Sequence, residues 1–262
     1  MAFRRHALLP VLLVILACPR EPASPPSPSD AAPTLVDAQP VSDTAEITPG
    51  ARFHVGVRFR IAPGWHIYWK NPGDSGLATR ITLDAPPGFT VGEALYPGPT
   101  RFTSPGNLVS YGYHDETMVL LPVQAPTPLP AAPSLQITAR WLVCKESCIP
   151  GKATWPLSFP RPSDANAIAP YLARMPQPLP PDVRWQWEGM TLLLTLPNVS
   201  DAELFPNPPE GVEYAGHAVT PDDALAAHFT RAGTTPLQGG QGVLRLKDRY
   251  FNVQVPWPQG VP

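Results

Sequence analysis

The sequence predicts an all-β protein with two immunoglobulin-like β-sandwich domains, which follow a signal peptide and a proline-rich tether. The chain has 262 residues with 39 prolines, and only 15% of its residues are charged. Prolines disfavour long helices, because each one inside a helix removes a backbone donor and costs about 3 kcal/mol. Short runs of alternating apolar and polar residues, separated by Pro, Gly, Asn and Asp, are typical of antiparallel strands.

The charge of the chain excludes one large class of function. The formal net charge is −2, the pI is about 6.3, and no basic cluster appears beyond the N-terminus. Proteins that bind nucleic acids need a positive surface for the phosphate backbone. We therefore expect no nucleic-acid partner.

Residues 1–18 are typical of a bacterial export signal. A basic start is followed by an apolar run over residues 7–17, which is too short to span a bilayer. The end of the run, Ile15-Leu16-Ala17-Cys18, resembles a lipobox, in which the cysteine carries a lipid; an ordinary signal peptide with an incidental Cys18 is the alternative. Residues 19–33 are nearly all Pro, Ser, Ala and charged residues, which predicts an extended tether.

The first β domain is predicted at residues 34–160. Its clearest strand covers residues 53–61, where apolar residues alternate strictly with mostly polar ones. Further strands are predicted at residues 81–83, 118–123, 135–143 and 153–159. Strands at this spacing, with little helix between them, favour a β-sandwich over a parallel α/β sheet.

A short connector is predicted at residues 161–176, with a helix at 163–175 that Ser163 or Asp164 caps and Pro170 keeps short. The second β domain is predicted at residues 177–262. Its strands are predicted at residues 183–187, 191–196, 242–246 and 251–255.

Two of the three cysteines, Cys144 and Cys148, lie four residues apart. In a continuous strand their Cα atoms would lie about 13 Å apart, whereas a disulfide needs Cα atoms within about 7 Å. A bridge between them therefore requires a turn at residues 145–147.

Three interpretations of the cysteine pair remain open from the residues alone. A stabilising disulfide is common in exported proteins, which fold in an oxidising compartment. Thiol exchange is favoured by the short ring, because strained or exposed disulfides tend to be labile. The third is a soft metal ion such as Cu(I), held by the pair with His114 or Met118, for which four-residue spacing is weak support.

Four blocks of the sequence resemble a known family. They are PGWHIYWKNPGDSG at residues 63–76, YGY at 111–113, LPV at 121–123 and WLVCKESCIP at 141–150. In this order they are similar to the N-terminal periplasmic domain of the DsbD thiol:disulfide interchange proteins, and most similar to its ScsB-like branch. The resemblance covers about residues 45–160, and the second β domain resembles the companion domain of that branch more loosely.

The resemblance implies an immunoglobulin-like domain whose cysteine pair cycles between dithiol and disulfide, as a component of a protein-disulfide reductase. In the family the second cysteine forms the mixed disulfide with the partner, and this residue corresponds to Cys148. The first cysteine resolves the mixed disulfide and corresponds to Cys144.

The family also suggests which aromatic side chains surround the pair. An aromatic cap shields it, and the matching segment here is residues 96–102, with Tyr96 or Phe102 as the cap. Two more aromatics lie beside the pair in the family, and they correspond to Trp65 and Tyr68. We expect neither a cofactor nor a metal at this site.

In the family, electrons pass from a membrane partner through this domain to periplasmic thioredoxin-like oxidoreductases. Family members continue into a multi-helix membrane conduit, whereas this sequence reaches Pro262 without one. We therefore expect a separate membrane protein with redox cysteines to supply the electrons, and a lipid on Cys18 to hold the module at the membrane in a Gram-negative periplasm. The alternative is an envelope lipoprotein that binds copper or another protein, with the pair as ligands or as a static bridge.

Overall fold

The computed structural model describes residues 34–196, 199–233, 237 and 242–258. The predicted signal peptide, Cys18 and the tether lie outside these residues. The described chain is nearly all β, with mainly antiparallel sheets of the immunoglobulin-like sandwich type, which confirms the predicted fold class. No helix among these residues is long and apolar enough to cross a membrane.

The first β region, residues 34–160, contains the strands β1 Val36–Ser42, β2 Arg52–Ile61, β3 His66–Gly73, β4 Arg80–Asp84, β5 Thr90–Val91, β6 Thr100–Ser104, β7 Leu108–Tyr113, β8 Glu116–Gln124, β9 Leu135–Cys144 and β10 Cys148–Leu157. Sheet 1 has the order β1-β2-β8-β5. Sheet 2 has the order β10-β9-β3-β7-β6, and β4 continues beside β3 along the same edge of β9. Both ends of the predicted cysteine turn therefore lie in sheet 2.

Strand β2 shows how the sequence encodes the sandwich. The predicted alternation is confirmed, because one set of its side chains is buried between the two sheets while Arg52 and Arg60 are exposed. The buried set is Phe53, Val55, Val57, Phe59 and Ile61. Burial of apolar surface stabilises the folded state by about 25 cal/mol per Å², and this is the main stabilising contribution of the strand.

Strand β8 is buried on both faces, because a helix covers its outer side. Met118 and Leu120 lie on that outer side and pack with Ile168 of the helix α1 (Ala165–Leu172). The helix is shorter than predicted. Asp164 stands at its N-terminus but makes no side-chain cap, since its carboxylate accepts the Ser42 N–H at 3.0 Å instead.

The second β region, residues 177–258, contains the strands β11 Gln177–Pro178, β12 Arg184–Glu188, β13 Thr191–Thr195, β14 Ala202–Pro206, β15 Val212–Val219, β16 Ala224–Arg231, β17 Gly242–Leu246 and β18 Arg249–Val253. Sheet 3 has the order β11-β18-β17-β14, and sheet 4 has the order β12-β13-β16-β15. Fully buried side chains such as Leu192, Leu194 and Leu225 form its core.

The two β regions share part of one core. Phe205 and Val243 belong to strands of the second region, yet they are buried among the core residues of the first. The ring of Phe205 lies edge-on to Tyr111 at 5.5 Å, and the Asn71 side-chain amide donates to the Pro206 carbonyl at 2.7 Å. Both regions accordingly fall within one compact unit of the chain.

Candidate functional site

The cysteine pair closes the tip of the β9–β10 hairpin. Cys144 and Cys148 are the last paired residues of the two strands, their Cα atoms are 4.2 Å apart, and a disulfide joins their sulfurs. Residues 145–147 make the connecting turn, in which the Lys145 N–H donates to the Ser147 carbonyl at 3.1 Å. The turn that the sequence requires for a bridge is therefore present.

The two sulfurs belong to residues of opposite exposure. Cys144 is only 2% exposed, whereas Cys148 is exposed, as are its neighbours on both sides. Ile149, the next residue, is a large apolar side chain that is 45% exposed. Cys148 is therefore the solvent-facing residue of the pair, and Cys144 is the buried one.

Strand β3 lies on the other side of β9 and brings a histidine opposite Cys144. The register pairs His66 with Cys144 and Ile67 with Val143. Opposite residues of an antiparallel pair lie on the same face of the sheet. Because Ile67 and Val143 point into the core, His66 and Cys144 lie on the outer face of sheet 2.

Aromatic rings surround this histidine. The ring of Phe102, from the edge strand β6, stacks on the His66 ring at 4.7 Å with an interplanar angle of 20°. Tyr68 meets the His66 ring edge-on at 5.1 Å, and His114 meets Phe102 edge-on at 6.2 Å. The structure thus brings Phe102 and Tyr68 to the residue opposite Cys144.

The other two predicted aromatics are placed in different surroundings. Tyr96 packs against the first core, and its hydroxyl donates to the Thr79 carbonyl at 2.9 Å. Trp65 packs against the same core at the turn that precedes β3. The ring contact to His66 is made by Phe102, at the other end of the predicted cap segment.

Burial sets the ionisation of the side chains near the pair. It lowers the pKa of His66 and raises the pKa of Tyr68. The Lys145 side chain lies along Gly64, whose missing Cβ would stand 3.5 Å from the ammonium nitrogen. A neutral imidazole therefore lies opposite Cys144, and one lysine lies at the hairpin tip.

The described residues do not form a recognisable metal centre. Within them, no group of three or more His, Cys, Asp or Glu side chains could hold a metal ion. Met118, one of the two companions considered for a copper site, is fully buried under α1 on the outer face of sheet 1. It therefore lies on the opposite side of the first sandwich from the cysteine pair.

The sequence profile described as "Thiol:disulfide interchange protein DsbD, N-terminal" matches residues 33–158, which include both cysteines and the whole outer face described above. Residues 33–158 form a DsbD N-terminal domain. The family assignment made from the four sequence blocks is therefore confirmed. At the level of the family, this part of the chain is a thiol:disulfide interchange domain with a cysteine pair in the disulfide state.

Solved structures extend the likeness in fold beyond this DsbD N-terminal domain. The N-terminal periplasmic domain of ScsB from Proteus mirabilis is 18% identical, and the match covers 89% of this chain and 97% of that one with a TM-score of 0.64. The DsbD N-terminal domain of Neisseria meningitidis in its reduced form is 19% identical, with 51% and 94% covered and a TM-score of 0.34. No curated protein sequence matches. The ScsB fold thus spans both β regions.

Sequence reasoning missed His66 as part of the DsbD-type site, because a single histidine in a β domain is usually a packed or surface residue. One signal was present, since His66 and Tyr68 are two residues apart and must share a face of any strand that holds them. The pairing with Cys144 was not visible, because it depends on the register between two strands that are distant in the sequence.

Proposed function

We propose that this chain is a periplasmic thiol:disulfide exchange module, which passes reducing equivalents from a membrane protein with redox cysteines to thioredoxin-like oxidoreductases of the envelope. The observation that carries the proposal is the unequal exposure of the two cysteine residues, because Cys148 is exposed and Cys144 is only 2% exposed. Membership of residues 33–158 in the DsbD N-terminal family supports the same chemistry.

The exchange needs two displacements at sulfur. The Cys148 thiolate attacks one sulfur of the partner's disulfide, the partner's S–S bond breaks, and the other partner sulfur leaves as a thiolate. Cys144 then attacks the Cys148 sulfur, which closes the internal disulfide and releases the second partner sulfur. Two electrons and two protons pass from the module to the partner, and a dithiol of the membrane donor restores them by the reverse steps.

The location of the module follows from its first residues. A lipid on Cys18 and the proline-rich residues 19–33 would hold the folded regions at the membrane and within reach of a donor in it. A similar structure is the N-terminal periplasmic domain of ScsB, which supports a periplasmic location.

Trapping in cells tests the proposal. In the native bacterium, Cys144→Ser should accumulate a mixed disulfide through Cys148, visible as a larger species that dithiothreitol removes. Cys148→Ser should accumulate none, because it lacks the attacking sulfur. As a control for the third cysteine, purified Cys18→Ser should keep the wild-type rate of disulfide reduction by dithiothreitol, because both cysteines of the pair remain in place.

A static bridge gives a different outcome. If alkylation of acid-quenched cells finds the wild-type pair fully oxidised in every growth condition, and Cys144→Ser traps no partner, the exchange function is wrong. The pair would then be a structural disulfide.

A further inference from the structure

One buried nitrogen beside the cysteine pair has no partner. The Nε2 atom of His66 is buried, and no described residue forms a hydrogen bond with it. Its ring is held between Phe102 and Tyr68, so it does not turn freely toward water. Leaving a buried polar atom unsatisfied costs about 1–3 kcal/mol, and such atoms in folded proteins call for an explanation.

The strand register points to the explanation. His66 lies directly opposite Cys144, and directly opposite residues have Cβ atoms about 4.5–5.5 Å apart. In the disulfide state Cys144 has no proton to donate. When the disulfide opens, the Cys144 sulfur becomes a thiol donor within reach of the imidazole.

We propose that His66 Nε2 accepts the proton of the Cys144 thiol while Cys144 attacks the mixed disulfide on Cys148, a role that rests on the proposed exchange function. The S–H bond of Cys144 breaks, a bond forms between the two cysteine sulfurs, and the bond from Cys148 to the partner breaks. The partner sulfur leaves as a thiolate. The imidazolium of His66 then returns the proton to solvent or to that thiolate.

The surroundings keep this histidine able to accept a proton. Burial lowers its pKa, so the ring is neutral at neutral pH. The titratable groups placed around it are Tyr68 on its own strand, Cys144 on β9 and His114 beyond the Phe102 ring. Lys145 follows Cys144 in the chain, and its side chain lies along Gly64. No described carboxylate forms an ion pair with His66, so nothing raises its pKa toward the charged form.

A two-phase reaction with an aromatic disulfide tests the role. The reduced full chain, with Cys18→Ser in every variant, is mixed with excess 5,5′-dithiobis(2-nitrobenzoate), and release of thionitrobenzoate is followed by absorbance. The first phase is attack by Cys148, and the second is resolution by Cys144. General base catalysis contributes about 10²- to 10⁴-fold, so His66→Gln should slow the second phase about 100-fold at neutral pH.

The pH profile separates proton transfer from a structural effect. In the wild type the second phase should stay nearly constant from about pH 6.5 to 8, because the histidine remains neutral there. In His66→Gln it should rise about ten-fold per pH unit, because only the thiolate that forms unaided then attacks. His228→Gln, an exposed histidine of β16, is the matched control and should keep the wild-type profile.

Each outcome has a distinct meaning. If the wild type shows no second phase, the exchange function itself is wrong. If the wild type resolves but His66→Gln keeps both its rate and its flat profile, only the role of His66 is wrong. If His66→Gln does not fold, His66 is titrated by NMR in the wild type instead. The pKa of His66 should then change when the cysteine pair is reduced. An unchanged pKa would overturn the role.

Discussion

The two β regions are built alike, as sandwiches of two sheets, but the Cys144–Cys148 disulfide belongs to the first. In the first region, a hairpin tip, a facing strand and an edge strand bring the cysteine pair, His66 and Phe102 to one outer face. In the second region, the described side chains form a core of their own and also contribute Phe205 and Val243 to the core of the first. The second region therefore contributes to the packing of the first.

The support is most direct at the segment that leads into β6, the strand that carries Phe102. Tyr113 of the first region donates to the Pro97 carbonyl at 2.8 Å, and Tyr250 of the second donates to the Pro99 carbonyl at 3.2 Å. A Cβ on Gly98 would stand only 2.1 Å from the Tyr250 ring. The backbone at Gly98 therefore lies against this ring, and the two regions hold the segment from both sides.

The largest expected effect comes from breaking the shared core. Phe205→Ala removes a fully buried ring from the first core, and such changes cost about 3–5 kcal/mol. Because the ring sits on β14 of the second region, hydrogen exchange should speed up in peptides of both β9 and β16. The control Leu192→Ala also costs about 2–5 kcal/mol but lies in the second core alone.

One result would contradict this contribution of the second region. If Phe205→Ala loosened only peptides of the second region, the two regions would fold independently, and the second would not stabilise the first. If both Phe205→Ala and Leu192→Ala speeded up hydrogen exchange in peptides of both regions, the two regions would form a single cooperative unit.

The sequence predicted half of the described strands of each region, five of ten in the first and four of eight in the second. Strands with strict alternation, such as β2, and continuous apolar runs, such as β8, were found. Strand β3 was missed because its Asn-Pro-Gly end is typical of a turn, although that end still pairs beside β7. Strand β16 begins with Ala224-Leu225-Ala226-Ala227, and alanine is depleted in strands.

The candidate site also has a part that local sequence predicts and a part that depends on long-range pairing. The turn between the cysteines follows from local geometry, because their spacing requires a turn if a disulfide joins them. The contact between Phe102 and His66, and the pairing of His66 with Cys144, depend on the order of strands in sheet 2. Long-range register of this kind is set by the whole core, and no local pattern in the sequence encodes it.

A smaller effect is expected where the second region holds the segment before β6. Tyr250→Phe removes its hydrogen bond to the Pro99 carbonyl, and one such bond contributes about 0.5–1.5 kcal/mol. The segment should open more often, and reduction of the disulfide by dithiothreitol should speed up by as much as about ten-fold. Tyr214→Phe is the control, because its hydroxyl pairs with His217 inside the second region. Equal reduction rates in all three proteins would show that Tyr250 does not restrain the segment.

The smallest effect concerns the connector, which the structure attaches to the first region. Tyr171 of α1 donates to Glu116 Oε1 at 2.6 Å, and Arg60 Nε donates to Glu116 Oε2 at 3.0 Å. Burial raises the pKa of Glu116, but the hydrogen bonds from Tyr171 and Arg60 and the positive charges of Arg58 and Arg60 outweigh it, so the pKa is lowered overall.

This lowered pKa makes the attachment depend on pH. A carboxyl with a lower pKa in the folded state stabilises it fully above the unfolded pKa of about 4.3 and loses that contribution as the pH falls through the folded pKa. The gap in unfolding free energy between wild type and Glu116→Gln, measured by urea titration, should be constant from about pH 6 to 8 and shrink in acid. It should stay below about 1 kcal/mol, because the side chain is 38% exposed. Tyr171→Phe should reproduce part of the gap, and a gap that does not change with pH would mean that the carboxylate does not fasten the helix to the first region.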